Sequence, residues 1–340
     1  MFVVRLQNSV QTRAVSKATH RPTYSAANPA GTLSRGRGRG RLWHDIHRDR
    51  YLYAMLLPVF IGFFLLFRYV PMYGVTIAFR NYRIVDGMFG SQWVGMRHFE
   101  RLFRSPEFVL ILRNTLLLNF YQLVFQFPAP IVLALLLNEI RSAGFKRTLQ
   151  SVMYVPYFLS WAVLGGIIIG LLSPSTGIIN AFIRGLGLEP VYFMMSTGWW
   201  PVVFVVSGIW NSAGWGTIIY LAAISGIDPQ LYEAATIDGA GRLRQTWHIT
   251  LPGIRSTIAI LLILNMGRFI DLGFEQVWVL QNPAVRSVAE VIPTYVYRIG
   301  LQAMQYSYTA ALGLFQSLVG LVLVLTANWV IRAMGEEGLF

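Results

Sequence analysis

The sequence contains no cysteine among its 340 residues. Disulfides, zinc–thiolate sites and cysteine nucleophiles are therefore excluded. The chain is also poor in charge, because 13% of its residues are Asp, Glu, Lys or Arg whereas 55% are hydrophobic. A soluble domain carries about 25% charged residues. This chain lacks the polar side chains that would cover a fold in water, so the sequence predicts an integral membrane protein.

Three motifs of catalytic proteins are absent from the sequence. It has no Gly-x4-Gly-Lys-Ser/Thr phosphate loop, no His-Glu-x-x-His zinc motif and no Gly-x-Ser-x-Gly nucleophile elbow. The chain cannot hydrolyse ATP by the phosphate-loop route. We therefore expect no catalytic residue, no metal site and no cofactor in it, and we expect partner subunits to bind any ATP and Mg²⁺.

Acidic residues are scarce as well: 15 Asp and Glu stand against 28 Lys and Arg, which gives a net charge of +13. Ten of the basic residues lie in the first fifty positions, four of them in an alternating arginine–glycine run from Arg35 to Arg41. A basic segment ahead of a membrane span marks the cytoplasmic side. We expect residues 1–50 to form a disordered cytoplasmic tail, and we expect no nucleic-acid partner.

Long apolar blocks make up most of the remaining chain. A helix needs about 20 residues to cross the hydrocarbon core, and six blocks reach that length, the first ending at Pro71. The sequence predicts an all-α transmembrane domain over residues 51–340. The predicted spans are approximately 51–70, 112–137, 149–171, 201–224, 254–276 and 306–331.

The distribution of arginine and lysine predicts the orientation. With the basic tail inside, both termini and the segments 138–148 and 225–253 are cytoplasmic. Residues 71–111 disagree with this rule, because they carry five arginines against three acidic residues and yet fall outside. The tail has the larger bias and the first span usually dominates, so we give it more weight. The predicted location is the bacterial plasma membrane.

The cytoplasmic segment 225–253 has the strongest local signals. Asp228 followed by Pro229 predicts a helix start, because an acidic N-cap precedes a proline in the first turn, where no amide donor is needed. Gly239 permits a tight turn before a second helix. The residues that could form the packing face of the first helix are Leu231, Ala234, Ala235 and Ile237. A segment of about thirty residues with two helices is not a simple connector.

This segment resembles the EAA signature of the permease subunits of ABC importers. That signature reads Glu-Ala-Ala, three residues, Gly, nine residues, Ile, one residue and Leu-Pro. The matching residues, at the same spacings, are Glu233, Ala234, Ala235, Gly239, Ile249, Leu251 and Pro252. The resemblance implies the six-helix MetI-like fold of type I importer permeases. It also implies that these residues and the neighbouring Asp238 form a coupling helix that docks into a cytoplasmic ATPase.

Further stretches resemble the carbohydrate permeases of the polysaccharide-uptake type, which are related to the larger membrane subunit of the maltose importer. These stretches are 135–141, 215–223, 273–277 and 294–300. The resemblance covers residues 51–340. It implies import of an oligosaccharide, including uronate-containing ones such as fragments of alginate or pectin. It also implies a heterodimer with a second homologous permease, two ATPase subunits and an extracytoplasmic solute-binding protein.

Polar side chains inside the spans are costly in lipid and are candidates for a substrate pathway. In the fifth predicted span, four of them recur at three- and four-residue steps and would share one helical face. They are Asn265, Arg268, Asp271 and Glu275. This face could line a sugar pathway or form an internal arginine–carboxylate clamp. The arginine suits an acidic sugar, although the two carboxylates could neutralise it.

The other spans contribute polar and aromatic candidates too. These are Asn119, Gln122, Trp210, Asn211, Trp215 and Gln316. The tryptophans could stack on sugar rings, or they could pack between helices. Two other classes of protein remain open from the polar residues alone: an ion-coupled secondary transporter built from six spans, and an intramembrane enzyme that uses the cluster at 268–275. The EAA spacing favours the ABC permease over both.

Overall fold

The computed structural model describes residues 50–267, 269 and 272–333. The predicted tail, apart from Arg50, therefore lies outside the described residues, and so do Arg268 and Asp271. The chain divides into two units, Met1–Phe64 and Leu65–Phe340. The described part of the first unit is a single helix, α1 (Arg50–Phe64).

The described part of the second unit is mostly helical. Its helices before residue 200 are α2 (Val70–Gly74), α3 (Gly87–Gly90), α4 (Arg97–Arg104), α5 (Pro106–Tyr121), α6 (Ala129–Asn138), α7 (Ala143–Tyr154), α8 (Trp161–Leu172) and α9 (Ile178–Gly185). The helices that follow are α10 (Trp200–Ser225), α11 (Pro229–Ile237), α12 (Arg242–Gln245), α13 (Leu251–Gly253), α14 (Arg255–Gly267), α15 (Phe274–Leu280), α16 (Arg286–Ala289), α17 (Ile292–Tyr295) and α18 (Tyr306–Ala333).

Shorter elements join these helices. The π-helical turns are Leu65–Tyr69, Gln122–Gln126, Thr246–Thr250 and Val296–Gln302, and the 3-10 turns are Val75–Phe79, Val155–Phe158 and Pro283–Val285. Two short strands, β1 (Arg80–Asn81) and β2 (Gln92–Trp93), pair antiparallel, with Arg80 opposite Trp93. The prediction of a purely helical domain missed this hairpin, because two residues are too few to give an alternating pattern.

Four helices in the described part of the chain are long and apolar enough to cross a membrane. They are Arg50–Phe79, Pro106–Asn138, Trp200–Ser225 and Tyr306–Ala333. The last three coincide with the predicted spans 112–137, 201–224 and 306–331. The prediction that Pro71 ends the first span is wrong, because Pro71 lies in the first turn of α2, where its missing amide is not needed.

Two further pairs of helices are long and apolar enough to cross a membrane only when the two helices of a pair are taken together, because each pair is bent at a break. If each pair counts as one span, the described residues contain six candidate spans. In the first pair, α7 and its 3-10 extension meet α8 at 105°. Pro156 lies in the extension, and the hydroxyl of Ser160 accepts from the amide of Val163 at 3.5 Å as the N-cap of α8. The helix in the predicted span 149–171 is therefore bent, since a proline and a new N-cap both interrupt it.

The predicted fifth span is interrupted as well. Helix α14 ends at Gly267, and the next helix, α15, starts only at Phe274. Asn265 and Glu275 consequently lie on different helices, and the predicted single polar face is wrong. Glycines at 267 and 273 flank the break, and glycine is a poor helix former. On its other side α14 follows the segment Arg242–Gly253 at an angle of 57°.

The core is held together by polar contacts as well as apolar ones. Trp200 is fully buried, and its Nε1 donates to the carbonyl of Leu280 at 2.9 Å. The buried amide of Gln276 donates to the carbonyl of Phe204 at 2.7 Å and to Ser207 Oγ at 3.2 Å. These bonds fix α15 against α10. An apolar cluster packs α6, α10 and the start of α14 together and supports the segment 225–253. It includes Ile131, Ala134, Tyr220, Ile224 and Ile254.

Candidate coupling and pathway sites

Helix α11 begins where the sequence predicts. Asp228 Oδ1 accepts from the amide of Gln230 at 2.9 Å, and Pro229 occupies the first turn. The helix ends at Ile237, and Gly239 adopts a φ of +75°, a left-handed conformation that glycine enters at little steric cost. A Cβ at this position would meet no atom within 4 Å. The backbone conformation, not a lack of space, therefore requires the glycine.

The face that α11 turns to the rest of the chain differs from the predicted one. Leu231 and Ile237 are 52% and 86% exposed, and Ala234 is exposed too. Tyr232 and Ala235 are half-buried instead. Of the four residues predicted to form a packing face, only Ala235 is therefore partly covered by this chain, and α11 presents a small apolar surface outward.

Three side-chain contacts hold this segment in place. The hydroxyls of Tyr232 and Thr250 are 3.0 Å apart, and Thr250 is buried. Arg242 Nη1 lies 3.0 Å from Glu139 Oε2, an ion pair that links α12 to the end of α6. Gln245 Nε2 donates to a threonine hydroxyl on α11 at 3.0 Å. The segment 225–253 is thus bonded to itself and to the end of the second span.

The residues that match the signature divide by exposure. Those exposed are Glu233, Ala234, Asp238, Gly239 and Pro252, and those half-buried are Ala235, Ile249 and Leu251. Leu251 packs against the apolar cluster formed by α6, α10 and the start of α14. Within the described residues, neither Glu233 nor Asp238 has an Arg, Lys or His nitrogen within 4.0 Å. Two acidic side chains and an apolar surface therefore face away from the chain on one short element.

Two of the three candidate asparagines, Asn119 and Asn211, are engaged inside the chain. Asn119 is 7% exposed, and its amide donates to the carbonyl of Thr115 at 2.7 Å, one turn earlier in the same helix. The amide of Asn211 donates to the carbonyl of Pro156 at 2.9 Å, which braces the bend before α8. These contacts show structural roles for both side chains.

Aromatic side chains gather around Trp215. Its ring stacks on Tyr157 with centroids 4.8 Å apart and an interplanar angle of 4°, and Phe158 contacts it edge-on at 5.7 Å. Trp215 is 40% exposed, and Trp210, one and a half turns earlier, is 43% exposed. We call Tyr157, Phe158 and Trp215 the aromatic group. The sequence analysis missed Tyr157 and Phe158, because only the bend before α8 brings them to α10.

The remaining candidates lie apart. Gln122 is half-buried in a π-helical turn, and Asn265 and Glu275 are exposed on α14 and α15. Gln316 borders a groove of about 570 Å³ between α14 and α18, whose walls include Gly267, Gly313, Ser317 and Gly320. No group of three His, Asp or Glu side chains in the described part of the chain is arranged to hold a metal ion.

An ion pair that was not predicted from the sequence lies in the segment between α15 and α18. Arg298 Nε and Nη2 lie 2.7 and 3.0 Å from the two carboxylate oxygens of Glu290, which is 6% exposed. This hydrogen-bonded pairing raises the pKa of Arg298. The hydroxyl of Tyr295 donates to Glu107 at 2.9 Å, and burial together with this contact raises the pKa of Tyr295. These bonds fix the segment 290–298 on the start of α5.

The described chain thus combines apolar spans, two of them bent, with a capped helix and a glycine turn between two spans. A family model described as "Binding-protein-dependent transport system inner membrane component" matches residues 113–336. The chain belongs to this family, and it is a transmembrane subunit of an ABC importer.

Curated relatives and a solved structure agree with this family. The polygalacturonan/rhamnogalacturonan transport system permease protein YteP of Bacillus subtilis (strain 168) is 50% identical over 302 residues, which cover 89% of this chain and 94% of that protein. Protein LplB of the same organism is 47% identical over 304 residues, covering 89% and 95%. A bacterial alginate ABC transporter, crystallised with its alginate pentasaccharide-bound periplasmic protein, contains a chain that superposes with a TM-score of 0.80 at 43% identity, covering 88% of this chain and all of that one. The secondary transporter and the intramembrane enzyme are not favoured by any of these comparisons.

Proposed function

We propose that this chain is one half of a heterodimeric permease that imports an acidic, uronate-containing oligosaccharide. Two relatives support this. One is named for polygalacturonan and rhamnogalacturonan, and another was crystallised with an alginate pentasaccharide. Polygalacturonan and alginate are both polymers of uronic acids. The observation that carries the proposal is the 50% identity to the first of these permeases across 89% of the chain.

The proposed transporter contains a second homologous permease, two ATPase subunits that bind ATP and Mg²⁺, and an extracytoplasmic solute-binding protein. The absence of a phosphate loop from this chain supports the ATPase subunits. The periplasmic protein in the alginate transporter crystal supports the binding protein. In this proposal residues 51–340 form six spans, each bent pair counting as one. The spans cross a bacterial inner membrane, and both termini, including the tail 1–50, lie on its cytoplasmic side.

We assign α11 and the Gly239 turn to ATPase coupling. Leu231 and Ile237 give this helix an exposed apolar surface, and Glu233 lies beside them. Surfaces of this kind suit a cleft on a partner subunit. The ion pair to Glu139 and the hydrogen bond to Thr250 would pass movement of the partner on to the spans.

Because the chain has no cysteine, disulfide cross-linking can test this assignment in the assembled transporter. Leu231→Cys or Ile237→Cys should cross-link to a cysteine placed in the ATPase cleft. Ile84→Cys is the matched control, because its exposure of 62% lies between those of Leu231 and Ile237 and it is on the opposite side of the proposed membrane. Cross-linking of the ATPase to position 84 but not to 231 or 237 would invert the orientation and reject the assignment.

We propose that the aromatic group, with Trp210, Gln122, Gln316, Asn265 and Glu275, contributes to the sugar pathway. The partly exposed ring of Trp215 suits stacking on a sugar. Arg268 and Asp271, which lie outside the described residues, stay candidates for the same pathway. Uptake of trigalacturonate and of neutral maltotriose into proteoliposomes tests the substrate class. Arg268→Ala should reduce trigalacturonate uptake selectively, and preferential uptake of maltotriose by the wild-type transporter would reject the acidic substrate.

A further inference from the structure

An apolar groove of about 550 Å³ lies between α5 and α10 and contains none of the residues assigned above to coupling or to the pathway. Its walls include Leu117, Phe125, Val202, Val206 and Ile209. Phe125 and Val206 are each 58% exposed, so the groove opens outward from the chain. Such a surface within two membrane spans is suited to hydrocarbon.

One end of this groove carries a positive charge. Arg113 lines it, and its Nη2 donates to Asn114 Oδ1 at 3.2 Å and weakly to the carbonyl of Ser287 at 3.4 Å. Among the described residues, no carboxylate oxygen lies within 4.0 Å of the Arg113 guanidinium. A charge in a membrane span is costly without a partner. The guanidinium of Arg113 can therefore pair with an anion from outside the described chain.

The position of Arg113 along its span corresponds to the level of lipid headgroups. The span Pro106–Asn138 has 33 residues, which at 1.5 Å per residue is about 50 Å long. The hydrocarbon core is about 30 Å thick, so a centred helix extends by about 10 Å beyond it at each end. Arg113 lies seven residues from the helix start, which again is about 10 Å. Trp199, 46% exposed near the same end of the groove, is a residue type enriched at this level.

We propose that the groove binds an anionic phospholipid, with the phosphate on Arg113 and one acyl chain along the walls. The distance from Arg113 to Phe125 is about 18 Å along the helix, close to the roughly 15 Å of one leaflet. A guanidinium pairs with phosphate through charge-assisted hydrogen bonds. A sugar would need many donors and acceptors, whereas Asn114, a polar residue of the wall, is 3% exposed and already donates to the carbonyls of Ser287 and Glu290.

Native mass spectrometry of the purified whole transporter tests this proposal. The transporter is titrated with phosphatidylglycerol or phosphatidylcholine of matched chains, and the bound lipids are counted. The wild type should retain phosphatidylglycerol about tenfold better than phosphatidylcholine, because the choline cation of phosphatidylcholine offsets the attraction of its phosphate for Arg113 and a charge-assisted contact is worth about that factor. Arg113→Gln should abolish the preference, and Val206→Trp should reduce binding of both lipids by filling the groove.

Matched controls separate this site from general effects. Arg104→Gln removes an exposed arginine of α4, and Val330→Trp adds the same bulk at a 42% exposed position of α18. Both should behave as the wild type. Equal retention of phosphatidylglycerol by the wild type and Arg113→Gln overturns the proposal, as does equal retention of the two lipids by the wild type. Loss of the partner permease from Val206→Trp on size exclusion also overturns it, because a protein would then occupy the groove. None of these outcomes depends on which sugar is imported.

Discussion

Replacement of Gly239 by valine should distort the turn in the segment 225–253 without preventing the transporter from folding. The φ of +75° is costly for a β-branched residue, on the order of 1–3 kcal/mol. No atom lies within 4 Å of an added Cβ, so the cost at this atom is backbone strain and not a clash. It is small beside the burial of the spans, and the transporter should assemble. This strain is as large as the coupling free energy between two sites of an allosteric protein, roughly 1–3 kcal/mol, which corresponds to about a 5- to 150-fold effect.

The assay is substrate-stimulated ATP hydrolysis and sugar uptake in proteoliposomes, with assembly checked by size exclusion. Gly239→Val should assemble and lose stimulation and uptake by a factor in that range, whereas Gly239→Asn should lose less, since asparagine tolerates the left-handed region. Gly241→Val is the control, because Gly241 has a φ of −68° and equally open surroundings. Wild-type stimulation by Gly239→Val, or an equal loss from Gly241→Val, would refute the assigned role of this turn.

Three further predictions concern other contacts. Tyr232→Phe removes the bond between the hydroxyls of Tyr232 and Thr250. It should lower the free energy of local opening of the segment 225–253 by about 1 kcal/mol, measured by hydrogen exchange of residues 229–250. Gly214→Ala places a Cβ against a backbone carbonyl of α7 and should destabilise the protein by about 1–3 kcal/mol or more, whereas Gly166→Ala meets open space and should not. Burial lowers the pKa of His98 from 6.5, against the opposing effect of its 3.0 Å bond to the carbonyl at the start of β1. Protection of the β1–β2 hairpin should therefore be full above about pH 6.5 and fall as the pH drops below it, and His98→Gln should remove this dependence.

Each of these has a contrary result. Unchanged exchange in Tyr232→Phe would show that the hydroxyl contact adds nothing to the segment. Equal melting temperatures of the two glycine variants would mean that α7 and α10 separate freely. If the β1–β2 hairpin loses hydrogen-exchange protection equally in the wild type and in His98→Gln at low pH, another titrating group causes the loss.

The sequence by itself determined the class of protein, the start of α11 and the glycine turn that follows this helix. Hydrophobic blocks of about 20 residues have few alternatives to crossing a membrane, and these are local properties of composition. Asp228, Pro229 and Gly239 act through their own backbone and their immediate neighbours. The start of α11 and the left-handed glycine could therefore be predicted residue by residue.

Only the tertiary structure decided which side chains meet. The bend before α8 brings Tyr157 to Trp215, and the break after Gly267 separates Asn265 from Glu275. Helical periodicity assumes an unbroken helix, so it could not foresee either result. Leu231 was predicted to lie on a packing face and is exposed on this chain, because an apolar pattern marks a packing face without saying which molecule covers it. Contacts between residues far apart in the chain depend on how helices pack, and that packing is not a property of any local stretch of sequence.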